Sequence, residues 1–270
     1  MLSTLGCFFL MFNSWGIVNA YGTFLSFYQE TLLPETSFTY LSLIGSTQCF
    51  LVLLMSGPVG RLLDANHSMP LKLVGSLLTT LGLLLLSVVN IEGKYGQGSW
   101  IYTWLTQGLV VGFGMSCFFV SSSQIASTWF QRKKAFAIGV VASGASISGV
   151  VYPFMVRFCV TRFGFVTAVR YASCLLGGTN LLAIVLACPN PKHSFHRPES
   201  WFRKEAWIDV SAFRNRQFRW FTVAICFMFF GFYGIFFSVE AWSENTRVGH
   251  RGPWPPGRRT SLPTYYLLAT

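Results

Sequence analysis

The chain has 270 residues, of which 52% are hydrophobic, 17% aromatic and only 11% charged. Soluble domains carry roughly 25% charged residues, so this composition excludes a water-coated globule and leaves lipid as the solvent for the apolar surface. The formal charge of +11 does not imply nucleic-acid binding, because the basic residues fall between apolar runs instead of on one face of a folded domain.

Charge-free runs long enough to cross a hydrocarbon core, which takes about 20 residues per helix, recur seven times. In chain order they centre on Leu5 to Phe27, Leu41 to Val59, Leu73 to Val89, Trp100 to Val120, Ala135 to Val156, Tyr171 to Cys188 and Phe221 to Val239. Long unbroken runs predict helices and not the short alternating strands of a barrel. The first run has no basic segment before it and is expected to act as its own insertion signal. With the N-terminus inside, the cytoplasmic loops hold twelve Lys and Arg residues and the opposite loops four. That bias predicts a cytoplasmic N-terminus. The connection Pro189 to Arg219 mixes Trp201, Phe202, Val210 and Phe213 with basic residues, which suits either a surface-lying helix or a solvated linker. Beyond Val239 the chain turns to Pro, Gly and Arg without helical periodicity. The triplet Asn66-His67-Ser68 lies in a loop expected to be cytoplasmic, so glycosylation there is not expected.

The seven cysteines are scattered singly and read as helix fillers. His67, His193, His196 and His250 show no ligand spacing with acidic partners. No metal site, cofactor or catalytic residue is expected, and a membrane enzyme is the weakest reading.

Two segments and a set of scattered polar and aromatic residues carry function. After the second run stands Gly57-Pro-Val-Gly60-Arg61-Leu-Leu-Asp64, where glycine permits close backbone approach and charges at a helix end can pair with a neighbouring span. At the fifth run, Trp129-Phe-Gln-Arg-Lys-Lys leads to Gly139 and then to Ser143-Gly144-Ala-Ser-Ile-Ser-Gly149 and Tyr152-Pro153. Small residues spaced along one helix allow another helix to approach closely, which is the main source of association in lipid. Gly139, Gly144, Gly149 and Pro153 are therefore the expected packing positions. Polar groups inside a span face a cavity or another helix, which makes Asn13, Trp15, Asn19, Tyr21, Gln48, Gln107, Gln124 and Tyr152 candidates for lining a solute path. Arg170, at the outer entrance of the sixth run, could attract an anion or snorkel to the interface.

These segments, with Asn13-Ser-Trp-Gly16, Ile44-Gly-Ser-Thr-Gln48 and Gln107-Gly108 followed by Gly112 and Gly114, resemble the fungal monocarboxylate-transporter-like family of the major facilitator superfamily. The resemblance covers most of Leu5 to Val239. It implies an all-α membrane fold, the N-terminal six-helix half of a major facilitator fold plus a seventh transmembrane helix. It also implies gating by Gly60, Arg61 and Asp64, with Ala65 where the usual Arg would stand and Arg61 or Lys72 as its substitute. Trp104 occupies the place of an Arg typical of proton-coupled drug antiporters, which argues against that branch.

The expected organisation is 1–188 as the six-span half, 189–219 as a basic cytoplasmic linker, 220–239 as the seventh span and 240–270 as an irregular tail. The implied function is secondary transport of a small organic solute, a monocarboxylate or a fungal secondary metabolite, by alternating access. The alternative is a seven-span receptor or non-transporting membrane partner. Expected partners are the lipid bilayer and the solute, with self-association left open and no nucleic acid. The expected location is multi-pass, in the plasma membrane ahead of an internal one. Seven runs against the family's twelve spans lead to the expectation of a truncated form that does not transport by itself.

Overall fold

The computed structural model describes residues 2–89, 96, 98–130, 132–192, 213–228 and 231. Six helices are long and apolar enough to cross a membrane: Leu2–Leu32, Phe38–Asp64, Ser68–Val89, Trp100–Trp129, Lys134–Phe163 and Phe165–Leu186. They are called here the first to sixth spans. The first six apolar runs fall on these helices in order, the sixth running two residues past its helix, and among the described residues no strand occurs. Helices are the expected solution because each satisfies its own backbone hydrogen bonds where no water can. The described residues form an all-α membrane fold of six spans, the number that the resemblance implies for one half of a major facilitator fold.

A helical stretch over residues 216–228 begins before the seventh run and continues into it. The remainder of that run apart from residue 231, most of the basic linker and the tail 240–270 lie outside the described residues.

The faces of the helices are sorted as lipid requires. In the third span the side chains turned inward include Gly75, Thr79, Gly82 and Ser87, while Leu77, Leu81, Leu85 and Val88 face out. The fifth span likewise exposes Val150 and Phe154, at 71% and 74%. Helices whose outside is more apolar than their inside gain little from a hydrophobic drive to associate, so close contact and polar bonds must hold them together.

The first span is the central one and packs against the fourth, fifth and sixth. Its approach to the fifth depends on Gly144, where an added Cβ would stand 2.5 Å from the carbonyl oxygen of Phe8. Tyr152 lies against Gly16 from the other side, and Phe12 packs on the Tyr152 ring at 5.3 Å. The fifth and sixth spans are joined by one residue, Gly164, at φ 83°, a conformation that suits a residue without Cβ. Two long helices therefore reverse direction with almost no loop between them.

The four expected packing positions do not behave alike. Gly144 meets backbone and Gly149 meets the Asn19 side chain, whose Nδ2 would be 3.0 Å from an added Cβ. Gly139 has nothing within 4 Å among the described residues, so it makes no close helix approach there. Pro153 sits inside the fifth span, half-buried, without breaking it.

Gly144→Val should lower the stability of the detergent-solubilised protein by about 2 kcal/mol or more, because the group it meets is backbone and cannot rotate away. Gly139→Ala should leave the thermal midpoint unchanged. Equal effects of the two would contradict this packing.

Candidate functional site

The second span breaks at Met55 and resumes as the short helix Ser56–Asp64, which carries the expected gating residues. Asp64 accepts a hydrogen bond from Nε2 of Gln124 on the fourth span. Gln124, expected on the solute path, is thus a partner of the segment expected to act as a gate. Asp64 pairs with neither Arg61 nor Lys72 among the described residues, so the expected basic substitution is not realised in this conformation. Gly60 has only an ordinary contact, 3.8 Å from an added Cβ to Val120.

Lys72 is instead 1% exposed and turns to the end of the sixth span. Its Nζ donates to the carbonyl of Ile184 at 3.1 Å and to that of Ala187. The last carbonyls of a helix lack intrahelical donors, and a cation there also meets the negative end of the helix dipole. More bonds tie the same corner: Ser3 Oγ and Trp129 Nε1 each donate to the carbonyl of Cys188 at 2.7 Å. The backbone N–H of Asn190 donates to Thr128 Oγ1 at 3.0 Å. The ends of the first, third, fourth and sixth spans therefore meet in one polar joint. Sequence reading missed this role of Lys72; its only signal was a single lysine directly before the third apolar run.

In the interior, Asn13 gathers four spans. Its Nδ2 donates to Asn180 Oδ1 at 2.7 Å, and its Oδ1 accepts from the Tyr152 hydroxyl at 3.1 Å, with the Thr179 hydroxyl 2.9 Å from the same oxygen. Asn180 Nδ2 then donates to Thr79 Oγ1 at 3.2 Å, and Thr79 donates to the carbonyl of Gly75 at 2.9 Å. Asn13, Tyr152, Asn180 and Thr79 are all fully buried. Asn180 was open to the rule that singled out Asn13, an amide in the middle of an apolar run.

A second buried group lies between the second and fourth spans. Residues Trp104–Val110 form a π-helix, whose wider turn alters the ordinary backbone pairing. The carbonyl of Gln107, within that turn, accepts from Gln48 Nε2 at 2.7 Å, and Gln107 Oε1 accepts from the Tyr28 hydroxyl. Gln48 Oε1 and Gln107 Nε2 are left without a partner. Tyr21 donates to the carbonyl of Leu41. Trp104 donates to Thr47 Oγ1 at 3.0 Å and stacks on Trp100 at 5.9 Å.

Asn13, Tyr21, Gln48, Gln107 and Tyr152 are thus fully buried and bonded from helix to helix, away from any open surface in this conformation. Trp15 and Asn19 differ, since both remain half-buried on one face of the first span. The Trp15 ring meets Phe119 of the fourth span edge-on at 5.5 Å, and Asn19 Nδ2 donates to the carbonyl of Ala145 at 3.2 Å. Arg170 is exposed at the start of the sixth span, with Nε 3.5 Å from Ser87 Oγ. Among the described residues no group of three or more His, Cys, Asp or Glu could hold a metal ion.

Comparison with known proteins fits these helices. Residues 4–265 match the Major Facilitator Superfamily profile, a match that continues through the seventh run and most of the tail. The MFS-type transporter dbaD of Emericella nidulans is 33% identical over 239 residues, covering 88% of this chain and 50% of that protein. An MFS-type transporter of Gibberella zeae is 30% identical over 237 residues, covering 88% of this chain and 49% of the relative. The Fujikurins efflux protein of Gibberella fujikuroi is 28% identical over 188 residues, covering 70% and 39%. The chain spans about half the length of the curated relatives it matches. With a profile match across nearly its whole length and six membrane-crossing helices beneath it, the chain belongs to the Major Facilitator Superfamily.

Proposed function

We propose that the six spans form one wall of the path of a secondary transporter, which moves a small organic solute by alternating access together with a second six-helix half. The observation that carries this reading is the half-buried polar and aromatic face of the first span, at Trp15 and Asn19, on a stretch from Leu10 to Tyr28 whose other residues, Gly22 aside, are buried. Family membership supports transport over the receptor alternative and over an enzyme. We assign the chain to the fungal monocarboxylate-transporter-like branch on the pattern from Trp129 to Pro153. The relatives named above are fungal, and one bears the name of an efflux protein, which favours export of a secondary metabolite. The organisation proposed is a six-span half to residue 188, a basic linker to 219, a seventh span to 239 and a tail beyond.

The gating role proposed for Gly60, Arg61 and Asp64 rests on the bond from Gln124 to Asp64, which latches the second span to the fourth. Asp64→Asn keeps an acceptor but removes its charge, and a hydrogen bond to a charged group is worth about 1 kcal/mol more than a neutral one. In a complete transporter carrying this segment, the substitution should lower the rate of saturable solute flux about fivefold at equal surface abundance. Unchanged kinetics would remove the gating role, and no saturable flux of any organic solute by the unsubstituted transporter would overturn the function.

The excess of Lys and Arg in alternate loops supports a cytoplasmic N-terminus, and the plasma membrane is the location we propose. A single cysteine placed at Arg132 in a background without other cysteines should react with an impermeant maleimide only after permeabilisation. Efficient labelling of intact cells would reverse the orientation.

A further inference from the structure

We propose that Trp15, Asn19 and Phe119 form a subsite for an uncharged aromatic solute bearing a hydroxyl group. The inference rests on the reading of this half as a wall of the solute path and selects a substrate class within it.

Trp15, Asn19 and Gly22 are spaced i, i+4, i+7 and therefore share one face of the first span. All three are half-buried, whereas their neighbours on this helix, from Leu10 to Tyr28, are almost all buried. Trp15 stands about 20 Å along a helix roughly 46 Å long, near mid-depth. Phe119 of the fourth span, also half-buried, presents its ring edge-on to Trp15. The pair offers an aromatic surface where the two most buried spans meet.

The polar member sets the chemistry. Asn19 uses Nδ2 to donate to the carbonyl of Ala145, and that acceptor fixes which end of the amide is nitrogen. Its Oδ1 has no protein partner among the described residues, so the group left to a solute is an acceptor. An unpaired amide oxygen facing lipid is costly, and the lipid-facing surfaces of the third and fifth spans carry Leu, Val and Phe instead. A hydroxyl donor would satisfy the oxygen, while a carboxylate has no proton to offer and would face it with like charge.

The surroundings agree. The middles of the six spans contain no Lys, Arg, Asp or Glu. The buried cation, Lys72, lies near an end and is held by the carbonyls of Ile184 and Ala187. Arg170 is exposed near the start of the sixth span, with Nε 3.5 Å from Ser87 Oγ. It and the other Lys and Arg residues of these spans stand toward their ends, none at the middle to neutralise an anion, and a neutral ring requires no such partner.

The test uses the 270-residue chain in lipid nanodiscs at pH 7, with binding of 2-naphthol, 2-naphthoate and naphthalene corrected for partition into empty nanodiscs. Saturable binding of 2-naphthol at least about tenfold tighter than 2-naphthoate is expected, with Asn19→Leu weakening 2-naphthol by about the same factor. Naphthalene, which has no hydroxyl, should bind Asn19→Leu and the unsubstituted chain alike, showing that the fold persists. Trp15→Phe should retain binding of both neutral rings. Equal or tighter binding of 2-naphthoate, an equal loss of 2-naphthol and naphthalene in Asn19→Leu, or no saturable binding would each overturn the subsite. Transport fails separately: flux in a complete transporter without this binding preference removes the subsite alone, and the binding preference without flux removes the transport reading alone.

Discussion

An amide placed in hydrocarbon must find its partners within the protein, and the side chain of Asn13 finds them on two other spans, with a third reached through Asn180. Its bonds to Asn180, Tyr152 and Thr179, continued to Thr79, draw the first, third, fifth and sixth spans to one point. Apolar packing against lipid-like neighbours cannot fix how far one helix slides along another, because one row of Leu and Val serves as well as the next. A buried amide can, since a shift of one turn separates donor from acceptor by about 5.4 Å. The close approach at Gly144 and the interlock of Gly16 with Tyr152 depend on that register.

The body is held differently at its end. There Lys72, Ser3, Trp129 and Asn190 bond mostly to backbone around the end of the sixth span, and Asp64 bonds to Gln124 nearby. Bonds to backbone carbonyls and between single side chains close a corner without filling it with bulk. Under the alternating-access reading proposed above, the six bonded spans would move as one piece against a second half. The aromatic and amide face at Trp15 and Asn19 lies further along the first span, on the side of Asn13 away from that end.

Much of the fold was legible because length and charge speak directly to lipid. The runs at Leu41 to Val59 and Tyr171 to Cys188 lie within or close to the helices Phe38–Asp64 and Phe165–Leu186, and the pattern from Trp129 to Pro153 pointed to the right superfamily. Partners were less legible. Sequence shows that Asn13 needs a partner without saying that Asn180, 167 positions away, supplies it. Lys72 looked like a charge for the gating loop, but the third span directs it to the end of the sixth. Gly139 and Gly144 look alike in sequence, yet they are five residues apart and so about 140° apart around the helix, one against the first span and the other open. In helices that are apolar all round, periodicity does not mark the inward face, and the π-helical turn at Gln107 shifts the facing of later residues in a way no spacing rule foresees.

The central claim is that buried polar pairing, more than apolar contact, sets the register of this half. A double-mutant cycle between Asn13→Leu and Asn180→Leu, read as unfolding free energy in detergent or lipid, addresses it most directly. A coupling of about 1 kcal/mol is predicted, near the upper part of what buried pairs in membrane helices contribute. Additivity of the two substitutions to within about 0.3 kcal/mol would contradict it.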